Sequence, residues 1–166
     1  CLEIMKGRYQ APRYESAGIA AKAALKCFLG GIGGQGVQLL AEILVKALGA
    51  KFACFTNSPW YEPEVTKALT TVGLTFSQQA DGNPIVQPGE ADLLLAMKPR
   101  IVEERGFILK PGGLLVYDST EGDFSPEGAE YQVINIPATK IAVKDVREPR
   151  SANIVMLGAL AQLLED

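Results

Sequence analysis

With 166 residues, 48% hydrophobic and 21% charged, the chain has the composition of one globular domain with a sizeable core, which excludes a disordered segment. Its formal charge of −3 gives no basic field for nucleic acid, and no apolar run approaches the ~20 residues that cross a bilayer. Histidine is absent, which removes the commonest general base and the commonest transition-metal ligand together.

The chain opens without the basic-then-apolar order of a secretory signal, so a cytoplasmic location is expected. Residues 1–21 mix charges, Pro12 and small residues without a period. They read as an N-terminal extension to a single domain over residues 22–166, with helical character near Ser16–Ala24. Leu25–Leu29 is a short apolar run that reads as a buried strand. Val37, Leu40, Ala41, Leu44, Ala47 and Leu48 recur at helical spacing, and Gly49 closes the pattern. Leu39 and Ile43 make this helix apolar on a further side, which calls for cover beyond the sheet.

Lys51–Thr56 reads as a second strand, and the two prolines of Asn57–Pro63 predict a loop. Leu69–Ser77 alternates as a strand should. Asp81-Gly82-Asn83-Pro84 is a turn signal, with Ile85-Val86 expected as a brief strand after it. Ala91–Met97 is an apolar strand, Pro99 opens a helix to about Phe107, and Lys110–Gly113 turns into strand Leu114–Tyr117. Gly122–Glu130 is a polar loop. Gln132–Ile136 follows as a strand and Pro137 starts a helix to about Val146. Ser151 can cap a last helix from Asn153 to Leu164, with Ile154, Leu157, Ala161 and Leu164 on one face. Alternating strands and helices predict an α/β fold: a three-layer α/β/α sandwich on a mostly parallel sheet, mixed through the Leu69–Val86 pair.

Between the first strand and first helix lies Gly30-Gly31-Ile32-Gly33-Gly34-Gln35-Gly36. Glycines there let backbone N–H groups approach an anion or a neighbouring chain, in a Rossmann-like turn. Gly31, Gly33 and Gly36 satisfy G-x-G-x-x-G, a weak signal for a dinucleotide. The predicted second strand ends Phe55-Thr56-Asn57, without the acidic residue that holds a ribose, and no Gly-Lys-Ser/Thr follows the turn. The dinucleotide reading is weakened by this, and two others stand ahead of it: close packing of strand on helix, or docking against a partner chain or a phosphate-bearing group other than a dinucleotide.

Catalytic candidates are few. Asp92 lies in a strand and Asp118 at a strand's C-terminal edge, the better place for a ligand, but neither has a partner fixed by spacing. Lys140 and Lys144 share a helix face that reads as solvated. Cys1, Cys27 and Cys54 are too few for a cluster, and Cys27 and Cys54 fall in two strands that could be neighbours. Trp60 and Tyr61 read as core lids or as interface anchors. No constellation here runs a reaction alone.

Six segments, in order, resemble the gamma subunit (or gamma domain) of 2-oxoacid:ferredoxin oxidoreductases. They are Gly31-Ile32-Gly33-Gly34-Gln35-Gly36-Val37 with Ala41–Leu44, then Tyr61-Glu62-Pro63-Glu64, Glu90-Ala91-Asp92-Leu93-Leu94 and Leu109–Gly113, then Ile136–Ala142 and Ala152–Ala159. The resemblance runs from about Leu25 to Leu164. One departure stands out: Thr66-Lys67-Ala68 replaces the family's Arg-Gly-Gly, and an ammonium does not copy a guanidinium's planar contacts.

The resemblance implies a place in a cytoplasmic hetero-oligomer of anaerobic metabolism. That enzyme oxidatively decarboxylates a 2-oxoacid with thiamine diphosphate, forms an acyl-CoA and passes electrons through iron–sulfur clusters to ferredoxin. The chain has neither the Gly-Asp-Gly motif nor a cysteine cluster. Thiamine diphosphate and the clusters are therefore expected on catalytic partner subunits, and this chain alone is expected to bind no cofactor. The resemblance places Gly31, Gly33, Gly34, Gln35, Gly36 and Asn153 on the CoA side or at a subunit interface. The Gly-Gly-Gln-Gly form is similar to members acting on 2-oxoglutarate or arylpyruvates, which points to 2-oxoglutarate. A stand-alone nucleotide-binding oxidoreductase and a diverged non-enzymatic scaffold are the alternatives.

Overall fold

The structure, a computed structural model, describes residues 23–61, 68–79, 83, 85–128 and 130–164. The expected N-terminal extension over residues 1–21 lies outside the described residues, as do Glu62–Lys67. Among the described residues six strands form one sheet: β1 (Ala24–Ile32), β2 (Cys54–Tyr61), β3 (Leu69–Ser77), β4 (Ala91–Ala96), β5 (Leu109–Asp118) and β6 (Gln132–Ile136). Their order is β2-β3-β1-β4-β5-β6. β1, β4, β5 and β6 run parallel, and β3 is antiparallel to both of its neighbours, β1 and β2. The mixed sheet is as expected.

Helices cover both faces. Helix α1 (Val37–Leu48), helix α3 (Ala138–Ile141) and helix α4 (Ala152–Leu164) lie on one side, and α2 (Pro99–Arg105) on the other. The larger core joins Leu25, Leu29, Leu74 and Leu95 of the sheet to Leu40, Leu44, Met156 and Leu160 of the helices. The second joins Leu94 and Leu115 to Ile101 and Val102 of α2. Period-2 alternation in the strands sends neighbouring leucines to opposite cores, each burial contributing about 1.5–3 kcal/mol. The result is a three-layer α/β/α sandwich.

The structure corrects several expectations. Asn57–Tyr61, expected as loop, continues β2 past Pro59. A proline is accommodated because β2 is a border strand, bonded among the described residues to β3 alone. Ile85-Val86 is no strand: the Ile85 N–H bonds Asn83 Oδ1 at 3.0 Å, and Val86 is buried below the exposed Ile85. Strand β5 starts at Leu109, so the Lys110–Gly113 turn lies within it, as a bulge between the pairs Ala91↔Leu109 and Leu93↔Leu114. The helix expected to reach Val146 is α-helical only to Ile141 and widens into a π-turn over Ala142–Val146. Cys27 and Cys54 are not on neighbouring strands, because β3 lies between β1 and β2. Helix α4 buries Asn153, Met156, Leu160, Leu163 and Leu164; of the four residues expected to share a face, Ile154 and Ala161 are exposed, Leu157 is half-buried and Leu164 is buried.

Candidate functional site

The glycine turn sits where β1 ends, at the centre of the sheet. Gly30 and Gly31 still belong to the strand, and the Gly30 carbonyl accepts the Met97 N–H at 2.9 Å where β4 ends. A Cβ on Gly30 would run into Ile101 of α2, and one on Gly31 would stand 2.7 Å from Val37 Cγ2. These two glycines let the sheet's helices close over it. Gln35 then braces the turn: its Oε1 accepts the Ile32 N–H at 2.8 Å, and its own N–H donates to the Ile32 carbonyl at 3.1 Å.

Gly36 caps α1 in the left-handed region, φ +73°, a conformation that favours glycine. Its carbonyl accepts the Leu40 N–H at 3.0 Å and lies 3.4 Å from Asn153 Nδ2. Asn153 is 4% exposed, and its Oδ1 accepts the Ile154 N–H at 2.9 Å. Of the six residues singled out in the sequence, the structure puts Gly36 and Asn153 in direct contact and uses Gln35 to brace the turn through Ile32. Gly33 and Gly34 form the exposed crest, where an added Cβ would meet nothing within 4 Å.

This arrangement sets the N-termini of α1 and α4 beside each other. Neither helix has an acidic residue in its first turn, and α1 has no side-chain cap. The α1 N-terminus, which has no side-chain cap, and the N-terminal end of α4, where Asn153 Oδ1 takes the Ile154 N–H, make a locally positive corner suited to an anionic group. The Gly33 N–H is already taken, by the Ala68 carbonyl at 3.1 Å.

A dinucleotide site fits poorly. It needs a parallel second strand beside β1, whose far end carries the ribose-binding carboxylate. Here antiparallel β3 occupies that place, and its first residue, Leu69, pairs with Ile32 next to the turn.

The two aspartates hold structure. Asp118, 4% exposed, accepts from the Thr120 N–H (3.1 Å) and hydroxyl (2.6 Å) and from the Thr139 N–H (3.2 Å) and hydroxyl (2.6 Å). Asp92 lies at the opposite end of the sheet, facing the β5 bulge, where it accepts the Lys26 N–H at 2.8 Å and pairs with Lys110. Sequence reasoning missed the pair Lys98–Glu121, 2.5 Å apart, which stands at the C-terminal edge after β4 and β5. Their positions just beyond two parallel strands were the available signal. Tyr117, just before Asp118, has its phenol pushed above the usual range by burial, then by the negative charges of Glu121, Asp118 and Glu103. Among the described residues no group of three or more His, Cys, Asp or Glu could hold a metal ion. No helix there is long and apolar enough to cross a membrane.

Residues 26–165 match the family described as pyruvate ferredoxin/flavodoxin oxidoreductase. The chain belongs to this family. Within it, the chain is 32% identical over 135 residues to the ketoisovalerate oxidoreductase subunit VorA of Methanothermobacter thermautotrophicus, covering 81% of this chain and 27% of VorA. It therefore spans about a quarter of that relative's length. It is also 32% identical over 141 residues to the 2-oxoglutarate synthase subunit KorC of Methanocaldococcus jannaschii, covering 81% of this chain and 72% of KorC. Among solved structures, the keto/oxoacid ferredoxin oxidoreductase gamma subunit of Geobacter sulfurreducens superposes with a TM-score of 0.66 at 28% identity, over 82% of this chain and 75% of that one. The chain is thus gamma-subunit-like in sequence and in fold.

Proposed function

We propose that this chain, with residues 22–166 as its domain, is the gamma component of a cytoplasmic 2-oxoacid:ferredoxin oxidoreductase. The complex converts a 2-oxoacid, 2-oxoglutarate by preference, to its acyl-CoA. The chain packs against the catalytic subunits and shapes the CoA side of their active site. The observation that carries this reading is the corner at Gly36 and Asn153. Residues 117 positions apart meet there, two helix N-termini converge, and an open glycine crest stands beside them.

That corner fits an anionic group such as the phosphates of CoA: the Gly34 backbone and the uncapped first turn of α1, with the positive end of α4 beside them, would hold it electrostatically. CoA supplies the thiol that takes up the acyl group. The chain's part is to hold and orient that ligand, with Gln35 and Asn153 fixing the turn beneath it. For thiamine diphosphate and iron–sulfur clusters the sequence offers no Gly-Asp-Gly motif and three cysteines in all. These cofactors belong to partner subunits, which also deliver electrons to ferredoxin. The choice of 2-oxoglutarate rests on the Gly-Gly-Gln-Gly form and the likeness to KorC.

An affinity-tagged chain recovered from native anaerobic lysate and read by native mass spectrometry tests the reading. Larger partners carrying thiamine diphosphate and iron–sulfur clusters are expected; a lone chain, or partners with neither, overturns it. In the complex, Gly33→Val is expected to raise the KM for CoA or weaken assembly without unfolding the chain. Unchanged CoA kinetics and assembly would remove the turn from the CoA side.

A further inference from the structure

The sheet's connections part between β1 and β4. From β1 the chain leaves through α1 on one face, and from β4 it leaves through α2 on the other. In an open α/β sheet, the crevice beyond two such strand ends is where ligands gather. The glycine turn forms the β1 side of that crevice. On the β4 side, Met97 donates its N–H to the Gly30 carbonyl at 2.9 Å, and its Cβ would lie 3.5 Å from a Cβ on Gly31. Lys98 comes next.

Lys98 breaks the local rules. It is the N-cap of α2, where Ser, Thr, Asp or Asn would accept a backbone N–H, and its side chain makes no cap bond. A cation there stands at the positive end of the helix, and no acidic residue in the first turn offsets it. Its ammonium reaches instead to Glu121, just past β5, at 2.5 Å. The two side chains are 28% and 55% exposed, so water screens the pair and it adds little to stability. Asp118 does not need the lysine, since its carboxylate is already filled by Thr120 and Thr139. A residue that opposes its own helix for so little stability is the mark of a functional position.

The surroundings select an anion. The first turns of α1, α2 and α4, all at this end of the sheet, carry no acidic residue, and Lys98 adds a full positive charge to these helix ends. We propose that Lys98 is a further binding residue for the anionic group at the glycine turn, and that Glu121 parks its ammonium and competes with the ligand for it. The inference deepens the function proposed above and rests on it: the ligand is the phosphate-bearing part of CoA. The flexible four-carbon stem of the lysine lets the ammonium turn from Glu121 toward the crevice when a phosphate arrives. Binding exchanges a carboxylate partner for a phosphate one.

The test uses the assembled complex, with CoA as the varied substrate. Lys98→Gln is expected to raise the KM for CoA about tenfold at nearly unchanged kcat, and Lys98→Arg to restore most of the loss. Glu121→Gln frees the ammonium and is expected to move the KM the other way, about threefold down. Both shifts are expected to shrink at high salt. A pair that serves only structure gives both Gln variants the same sign, because either one breaks it. A KM that rises in both, or that ignores Lys98→Gln while Gly33→Val still raises it, overturns the role of Lys98 and leaves the functional reading intact. A complex indifferent to both Gly33→Val and Lys98→Gln, or a chain that fails to assemble, overturns the CoA reading as well.

Discussion

Asp118 and Thr139 are joined twice: the carboxylate accepts the threonine's backbone N–H at 3.2 Å and its hydroxyl at 2.6 Å. The same carboxylate holds Thr120, so the end of β5, the short turn after it and the start of α3 close on one buried group. A charged acceptor with four donors around it is worth more than its separate bonds, and costly to leave half satisfied.

Asp118→Asn puts an amide NH₂ where an acceptor stood, facing a donor already there. The expected loss is about 2–3 kcal/mol, against about 1 kcal/mol for Thr139→Val, which removes one donor. Urea unfolding at neutral pH reads both as lowered midpoints with an unchanged slope. A wild-type midpoint for Asp118→Asn would show that the clamp contributes nothing.

Gly36→Ala meets two obstacles, a left-handed backbone at φ +73° and the Asn153 amide where its Cβ would go. The conformational part alone costs about 1–2 kcal/mol. Asn153→Ala removes the obstructing amide, so the double variant is expected to lose at least ~0.5 kcal/mol less than the sum of the single losses. Gly33→Ala, with open space above it and no positive φ, is expected to stay within about 0.5 kcal/mol of wild type. Additivity in the cycle would mean that Gly36 and Asn153 do not press on each other.

Tyr117 contributes to the alkaline limb of stability. Its phenol titrates above the ordinary value of 10.0 in the folded chain, chiefly through burial. A raised folded-state value means that the stabilisation is complete below about pH 10 and is lost as pH climbs through the raised value. Wild type is therefore expected to lose stability faster than Tyr117→Phe above about pH 10, with the two running parallel below it. Urea midpoints measured across that range decide the matter; parallel curves throughout would show that the phenol is not held neutral.

The sequence made most of the layer order legible, because leucine-rich strands alternate with periodic helices and glycines mark the joins. It also brought Asn153 and the glycine turn under one heading, and the structure puts them in contact. What it could not show follows from physics that is not local. Pro59 argues against a strand only if the strand is internal, and border position is a property of the whole sheet. Helix α4 misled because it has two apolar stripes; periodicity finds both and cannot say which one this chain fills. The bulge at Lys110–Gly113 goes with a long-range partner, Asp92 reaching Lys110 from β4, that no spacing rule encodes.

Pro59 in the middle of β2 has a consequence for the chain before it finds its partners. A border strand of eight residues is otherwise a template on which a second molecule could add its own strand. The proline interrupts that template, since an incoming strand finds no N–H there to bond. At this border a newly made chain is thus guarded against strand addition, which leaves β6, the border at the other side of the sheet, as the edge where a second strand could pair.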